Sequence, residues 1–278
     1  QLEEEERLVK MKFQERLVRE RQERERQAEA ERLEQLDRER VEKEVRRKMK
    51  KEKKEKKARD AMLQASMKKT GQVRVPEDCK TLEEAVRTVQ AIDHVTNIVV
   101  GEGEHKIDGA YLMIESAMNI VGDPGVPKEK IVVVGGVYFN GGILGNGLLQ
   151  HLTLRQAKDC AVYGLSSFTM EDVLVEQCGE FGVVASGTGV VARFTNLEVR
   201  HCGKSGVTAF TDASITMIGA KTTVHHNCTK GDSDDYGLKV YYGSLSTIQL
   251  VSPLSKEQVA INNGGGGNWG ASDGDADI

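Results

Sequence analysis

Val173-Leu-Val-Glu-Gln-Cys178 is the stretch whose reading decides the fold, because the chain repeats it. Leu152-Thr-Leu-Arg-Gln-Ala157 precedes it, and Leu197-Glu-Val-Arg-His-Cys202 and Thr223-Val-His-His-Asn-Cys228 follow, their last positions 21, 24 and 26 residues apart. Each motif leads into a second short apolar run: Gly182-Val-Val-Ala185, Gly206-Val-Thr-Ala209 and Gly237-Leu-Lys-Val240. A third run closes each period, as in Gly189-Val-Val-Ala-Arg-Phe194, Ala213-Ser-Ile-Thr-Met-Ile218 and Leu245-Ser-Thr-Ile-Gln-Leu250. Three short strands per period, with drifting loop lengths, specify a solenoid; a propeller blade needs four strands and a longer period.

Stacking coils about 4.8 Å apart puts equivalent residues above one another. Alternation then sends Leu152 and Leu154, Val173 and Val175, Leu197 and Val199 inward, and Arg155, Glu176, Arg200 and His226 outward. Matching the motifs at their ends predicts a small-residue column of Ala157, Cys178, Cys202 and Cys228. A polar column of Gln156, Gln177, His201 and Asn227 is expected beside it. Earlier coils are less regular: Asn97–Gly101, Tyr111–Ile114, Met118–Val121 and Ile131–Val134. Thr81-Leu-Glu-Glu84 reads as a capping box opening an amphipathic helix over 81–92, placed to plug the open end of the β core. The expected fold class is therefore an all-β right-handed parallel β-helix, a solenoid, over residues 71–278, with Trp269 covering its far end after the exit run Gly264–Gly267.

Residues 1–70 differ sharply in character. They hold 24 Lys and Arg against 18 Asp and Glu, leaving 15 against 25 for the remainder, so a basic arm precedes an acidic domain. Glu-first i,i+4 pairs such as Glu15→Arg19, Glu39→Lys43, Glu44→Lys48 and Glu52→Lys56 each add about 0.2–0.5 kcal/mol to a helix. Leu2, Val9, Phe13 and Leu17 make a short apolar seam, but none of this continues through 18–28, so the arm reads as a long charged α-helix and at most a weak coiled coil. Arg46, Arg47, Lys48, Lys50, Lys51, Lys53, Lys54, Lys56 and Lys57 crowd the run RRKMKKEKKEKK, a candidate for weak anionic contact or nuclear import. Without interleaved aromatics to stack on bases it reads first as a solvated face.

The passages Thr81–Val86, Ile98-Val-Val-Gly-Glu-Gly103 and Asn119-Ile-Val-Gly122 resemble the opening of right-handed β-helix proteins of the pectate-lyase-like superfold. From Val73 to Trp269 the chain is similar to a family of algal and protist β-helix repeat proteins, through FTMEDVLVEQCG, IGAKTTVHHNCTKG and NNGGGGNWGA. The resemblance implies the fold and little about activity, since the superfold holds lyases, glycosidases, epimerases, tailspikes and substrate-binding β-helices of ubiquitin ligases.

Lyases of this fold resemble one another in clustered outward carboxylates holding Ca²⁺; here the column Arg155, Glu176, Arg200, His226 reads as a self-neutralising ladder. Asp234-Asp235 sits in a polar turn, the other acidic residues of the domain look scattered over turns, and no Gly-His-Gly segment is present. His225 and His226, as neighbours on a strand, are expected on opposite faces and unable to share a metal with Cys228 or His201. Gly264–Gly267 lacks the Lys-Ser/Thr of a phosphate loop, and the glycosylation pattern Asn227-Cys228-Thr229 falls in an expected strand.

The expectation is therefore no catalytic residue, no cofactor and no metal site. It leaves a non-enzymatic binding or scaffolding protein that presents a β-helix face to a protein or extended ligand. A polysaccharide lyase or glycosidase on the same fold is the alternative, and a ubiquitin-ligase substrate domain the third. With no start Met, the sequence reads as a stretch of a longer protein. Five Cys, no apolar leader and no run of about 18 apolar residues suggest an intracellular setting without a membrane span.

Overall fold

The computed structural model describes residues 71–92, 96–241, 245–271 and 278, together with Met11, Arg21, Arg40, 42–51 and 53–54. The chain separates into two units, residues 1–64 and 65–278. The continuous helix and the seam expected in the arm lie outside the described residues. Those described there are helical and exposed, and Lys48 Nζ lies 3.6 Å from Glu44 Oε1.

The second unit is an all-parallel β-solenoid. One face is an 8-stranded sheet in the order β1-β2-β4-β6-β9-β12-β15-β18, from Gln72–Val75 (β1) through Asn97–Val100 (β2), Asn119–Gly122 (β4), Gly147–Gln150 (β6), Phe168–Glu171 (β9), Val191–Thr195 (β12) and Ser214–Ile218 (β15) to Thr247–Leu250 (β18). The other two faces form one 12-stranded sheet, joined where the long strands Gly103–Ile114 (β3) and Ile131–Phe139 (β5) run around the corner. Past β5 the corner becomes a loop. The second face continues as Thr153–Arg155 (β7), Leu174–Glu176 (β10), Glu198–Arg200 (β13), Thr223–His225 (β16) and Ala260–Ile261 (β19). The third runs Val162–Gly164 (β8), Val183–Ser186 (β11), Val207–Phe210 (β14), Tyr236–Tyr241 (β17) and Gly267–Ala271 (β20).

The inward columns are those expected. Leu152, Leu154, Val173, Val175, Leu197 and Val199 are all fully buried. Phe139, Phe168 and Phe194, contributed by successive coils, stack inside with ring centroids 5.1 and 5.6 Å apart. Helix α1 (Leu82–Gln90) closes the first coil by burying Leu82, Ala85, Val86 and Val89. Thr81 Oγ1 accepts from the Glu84 amide at 3.2 Å, but Glu84 reaches back to the Lys80 amide at 2.8 Å, not to that of Thr81, so the capping box closes one residue early. At the far end Trp269, in Gly267–Ala271, pairs with Leu238 of Tyr236–Tyr241, and Lys256 of the short helix α2 (Lys256–Val259) lies 5.5 Å above the Trp269 ring. Gly264–Gly266 thus turn the chain into a last strand instead of leading it out of the solenoid.

Register corrects one expectation. Arg155, Glu176 and Arg200 stack as expected, but the next residue in their column is His225, not His226. The common feature at the strand ends is a left-handed residue at the corner: Gln156, Gln177, His201 and His226 have φ of 55, 58, 56 and 54°. The polar column is therefore completed by His226, and Asn227, not Cys228, stands over Cys202. Asn227 Oδ1 accepts from the Cys202 amide at 3.0 Å, its Nδ2 donates to Val199 O at 3.0 Å, and Asn263 Oδ1 accepts from its amide at 3.0 Å. A buried asparagine ladder thus continues a thiol column at no cost in unpaired polar groups. It also encloses the glycosylation pattern, since Asn227 is buried. Cys228 sits one position further along the turn; all five Cys are buried and free.

Candidate functional site: a cleft on the third face

The third face would be a flat sheet if the corner loops merely stacked. In register, Tyr163, Val184, Thr208 and Lys239 form its outward column. Outward residues of a solenoid face should be wet, yet Val184, Thr208 and Lys239 are only 4, 3 and 3 % exposed. They form the floor of a cleft of about 620 Å³ walled by the corner loops. Loops 156–161, 177–182 and 201–206 keep one length and stack Asp159, Glu180 and Lys204 through main-chain bonds: the Glu180 amide donates to Asp159 O at 3.0 Å and the Lys204 amide to Glu180 O at 2.8 Å. The next loop, 226–235, is longer, and its surplus carries Asp232, Asp234 and Asp235 to the cleft. Gly265, at φ +62°, braces that loop; a Cβ there would lie 2.5 Å from Asp232 O and 2.6 Å from Asp235 O.

An ammonium group at the floor requires partners, because an unpaired buried charge is strongly disfavoured. Lys239 Nζ lies 3.5 Å from Asp235 Oδ1 and 3.6 Å from Asp234 Oδ2. Asp235, itself buried, also accepts the Ser205 hydroxyl at 2.8 Å. On the wall Lys204 Nζ bonds Glu180 at 3.2 Å and lies 5.3 Å above the Phe181 ring. Burial pulls the Lys204 ammonium down, but the Glu180 carboxylate, with Asp235 and Asp232 beyond, holds it above the ordinary lysine range. At the other end Tyr111 Oη accepts from the Cys160 amide at 3.2 Å, and burial pushes the Cys160 thiol up to about 11. One group is unmatched: Thr208 Oγ1 is buried in the floor and makes no hydrogen bond.

Asp159, Glu180, Asp232, Asp234 and Asp235 therefore border a common cleft with two lysines, and the expectation of acidic residues scattered over turns is corrected. Adjacent coils bring together what lies up to 76 positions apart in the chain. The signal was present in the lengths of the corner loops, and no local motif carries it. Among the described residues no group of three or more His, Cys, Asp or Glu converges on a point that would hold a metal ion.

The remaining candidates fall elsewhere. Glu176, buried on the second face, takes Arg155 Nε at 2.6 Å and Arg200 Nη2 at 2.7 Å, the ladder expected of that column. Burial alone would raise its carboxyl, but the two guanidiniums hold it below the usual range. Arg200 Nη1 continues to Glu198 at 2.9 Å, and Glu198 to His225 Nε2 at 3.3 Å. His225 and His226 do not point to opposite faces: β16 ends at His225, the left-handed turn at His226 breaks the alternation, and their Nδ1 atoms lie 2.8 Å apart. In the basic run Arg46, Arg47, Lys48, Lys50, Lys51, Lys53 and Lys54 are exposed, while Lys56 and Lys57 lie outside the described residues. No helix among the described residues is long and apolar enough to cross a membrane.

Comparison of the chain with protein-family models, with curated proteins and with solved structures gives no match.

Proposed function

We propose that the protein is a non-catalytic binding solenoid, and that the cleft on its third face receives a basic segment of a protein partner. The single observation that carries this is the cleft's composition: five carboxylates against two lysines, around a floor holding a buried hydroxyl without a partner. A concave surface dominated by one sign of charge concentrates counter-charged ligands. The rings of Tyr163, Phe181 and Phe210 on the same surface suit the alkyl stems and cationic heads of Lys or Arg. On this reading the solenoid is the right-handed β-helix that its resemblance to the pectate-lyase-like superfold implies, used as a rigid platform.

The enzyme reading, a glycosidase or lyase, is favoured by one fact, the gathering of carboxylates. Against it, Asp235 and Glu180 are already ion-paired with Lys239 and with Lys204 and Lys230. Those pairs hold two of the five carboxylates, so an acid–base pair would have to be drawn from Asp159, Asp232 and Asp234, all on exposed loop positions.

Fluorescence anisotropy with a labelled hexalysine peptide tests the proposal, using cellohexaose as the uncharged competitor. Asp159 and Asp232 are exposed rim residues outside the Lys239 ion pairs, so Asp159→Asn with Asp232→Asn should leave the fold intact and weaken binding about tenfold or more. The charge-matched pair Glu104→Gln with Glu115→Gln, exposed and outside the cleft, should change it less than about twofold. Equal losses from both pairs, or displacement of the peptide by cellohexaose, would overturn the assignment.

A further inference from the structure

We propose that His225 and His226 anchor a surface site for a divalent transition-metal ion of tetragonal preference, Cu²⁺ or Ni²⁺. The site is independent of the cleft and stands on three observations.

The first is separation. The two Nδ1 atoms are 2.8 Å apart. With metal–nitrogen bonds of about 2.0–2.1 Å, cis ligands on a square-planar or octahedral ion are roughly 2.9 Å apart, and tetrahedral ligands roughly 3.3 Å. The pair already has the cis spacing; as the ion binds, the proton that His226 Nδ1 shares in this hydrogen bond is lost from Nδ1 and the solvent-exposed Nε2 of the same ring carries the imidazole proton instead, which frees both Nδ1 lone pairs.

The second is orientation. His225 Nε2 faces Glu198 Oε1 at 3.3 Å, and Glu198 is held in turn by Arg200 Nη1 at 2.9 Å. A carboxylate on the far nitrogen puts the ring proton there and leaves the Nδ1 lone pair for a ligand, the arrangement that outer-shell carboxylates impose on metal-binding histidines. Glu198 is thus a positioning residue.

The third is support. The His226 ring rests against His201 one coil away, with centroids 5.5 Å apart, which confines it without adding a third ligand. The other coordination positions are left to water, which reaches the pair because His226 is exposed.

The test uses the full chain, titrated with CuCl₂ against a glycine competitor by calorimetry, with electron paramagnetic resonance of the one-equivalent complex. One ion should bind with two imidazole nitrogens in its hyperfine pattern. His225→Ala and His226→Ala should each weaken it at least about tenfold. Glu198→Gln should weaken it by about tenfold while the melting profile keeps its shape. His201→Ala should change it less than about threefold, and Zn²⁺ should bind more weakly than Cu²⁺. Copper bound as tightly by the His225→Ala protein, a signal with fewer than two nitrogens, or Zn²⁺ bound more tightly than Cu²⁺ would each overturn the proposal.

Discussion

Replacing Glu176 by Gln probes whether the charge ladder on the second face holds coils together. Glu176 is 5 % exposed and stands between Arg155 on one coil and Arg200 on the next. Removing one member of a buried ion pair costs about 3–5 kcal/mol, chiefly because the other charge is left uncompensated. Here the two arginine side chains are 29 and 34 % exposed, so water recovers part of that loss. Arg200 also keeps Glu198. The net cost should therefore be about 2 kcal/mol, falling mainly on Arg155. Urea unfolding followed by circular dichroism measures it, and replacing Arg155 by Met together with Glu176 by Leu should recover most of it.

The same residue fixes a pH dependence. The Glu176 carboxyl is lowered in the fold from its ordinary 4.5, so its contribution is fully present above that value and is lost as pH falls through the folded value. Asp172 is shifted in the same direction by Lys128 and His151, so the wild-type curve alone is ambiguous. The difference between wild type and Glu176→Gln should be largest above pH 4.5 and shrink as pH falls below it and the wild-type carboxyl takes up its proton. A variant that costs less than about 0.5 kcal/mol at pH 6, or a difference that grows on acidification, would refute the ladder as a stabilising element.

Two further outcomes test the stacking itself. A Cβ on Gly179 would lie 2.0 Å from Lys158 O in the coil below, so Gly179→Ala should cost about 3 kcal/mol in chemical denaturation. Gly141→Ala, whose Cβ would meet nothing closer than 3.8 Å, should stay within about 1 kcal/mol of wild type. All five thiols are buried, so a thiol reagent should label none of them in the native protein and all after denaturation; rapid native labelling of Cys178 or Cys202 would reject their place in the corner column.

The core was legible because a solenoid writes its inward columns into the sequence as a repeat. Leu152, Val173 and Leu197 sit at the same place in successive motifs, and the physics that buries one buries all. The last coil shows where that reasoning slips. Matching Cys228 to Cys202 treats the small residue as the invariant, whereas the geometry preserved is the left-handed corner one position earlier. Asn is tolerated in the buried column because its Oδ1 accepts from the Cys202 amide and its Nδ2 donates to Val199 O on the preceding coil and to Asn263 Oδ1, 36 residues away, on the following one, partners that no local pattern announces.

The cleft was hidden for a related reason. Val184, Thr208 and Lys239 alternate as ordinary outward residues, and nothing adjacent in the chain tells that they are covered. They are walled by the stacked corner loops together with the lengthened loop 226–235, which reads as a polar turn by composition and borders the cleft by position. In a stacked fold one extended loop does two things at once. It displaces every later residue against a fixed-period alignment, and it raises a ridge over the neighbouring coils on whichever face it leaves. The irregularity that obscured the register of His225 and Cys228 is thus the same one that brought Asp232, Asp234 and Asp235 to Thr208 and Lys239. In a chain of this type, the place where the repeat breaks is where a binding surface should be sought.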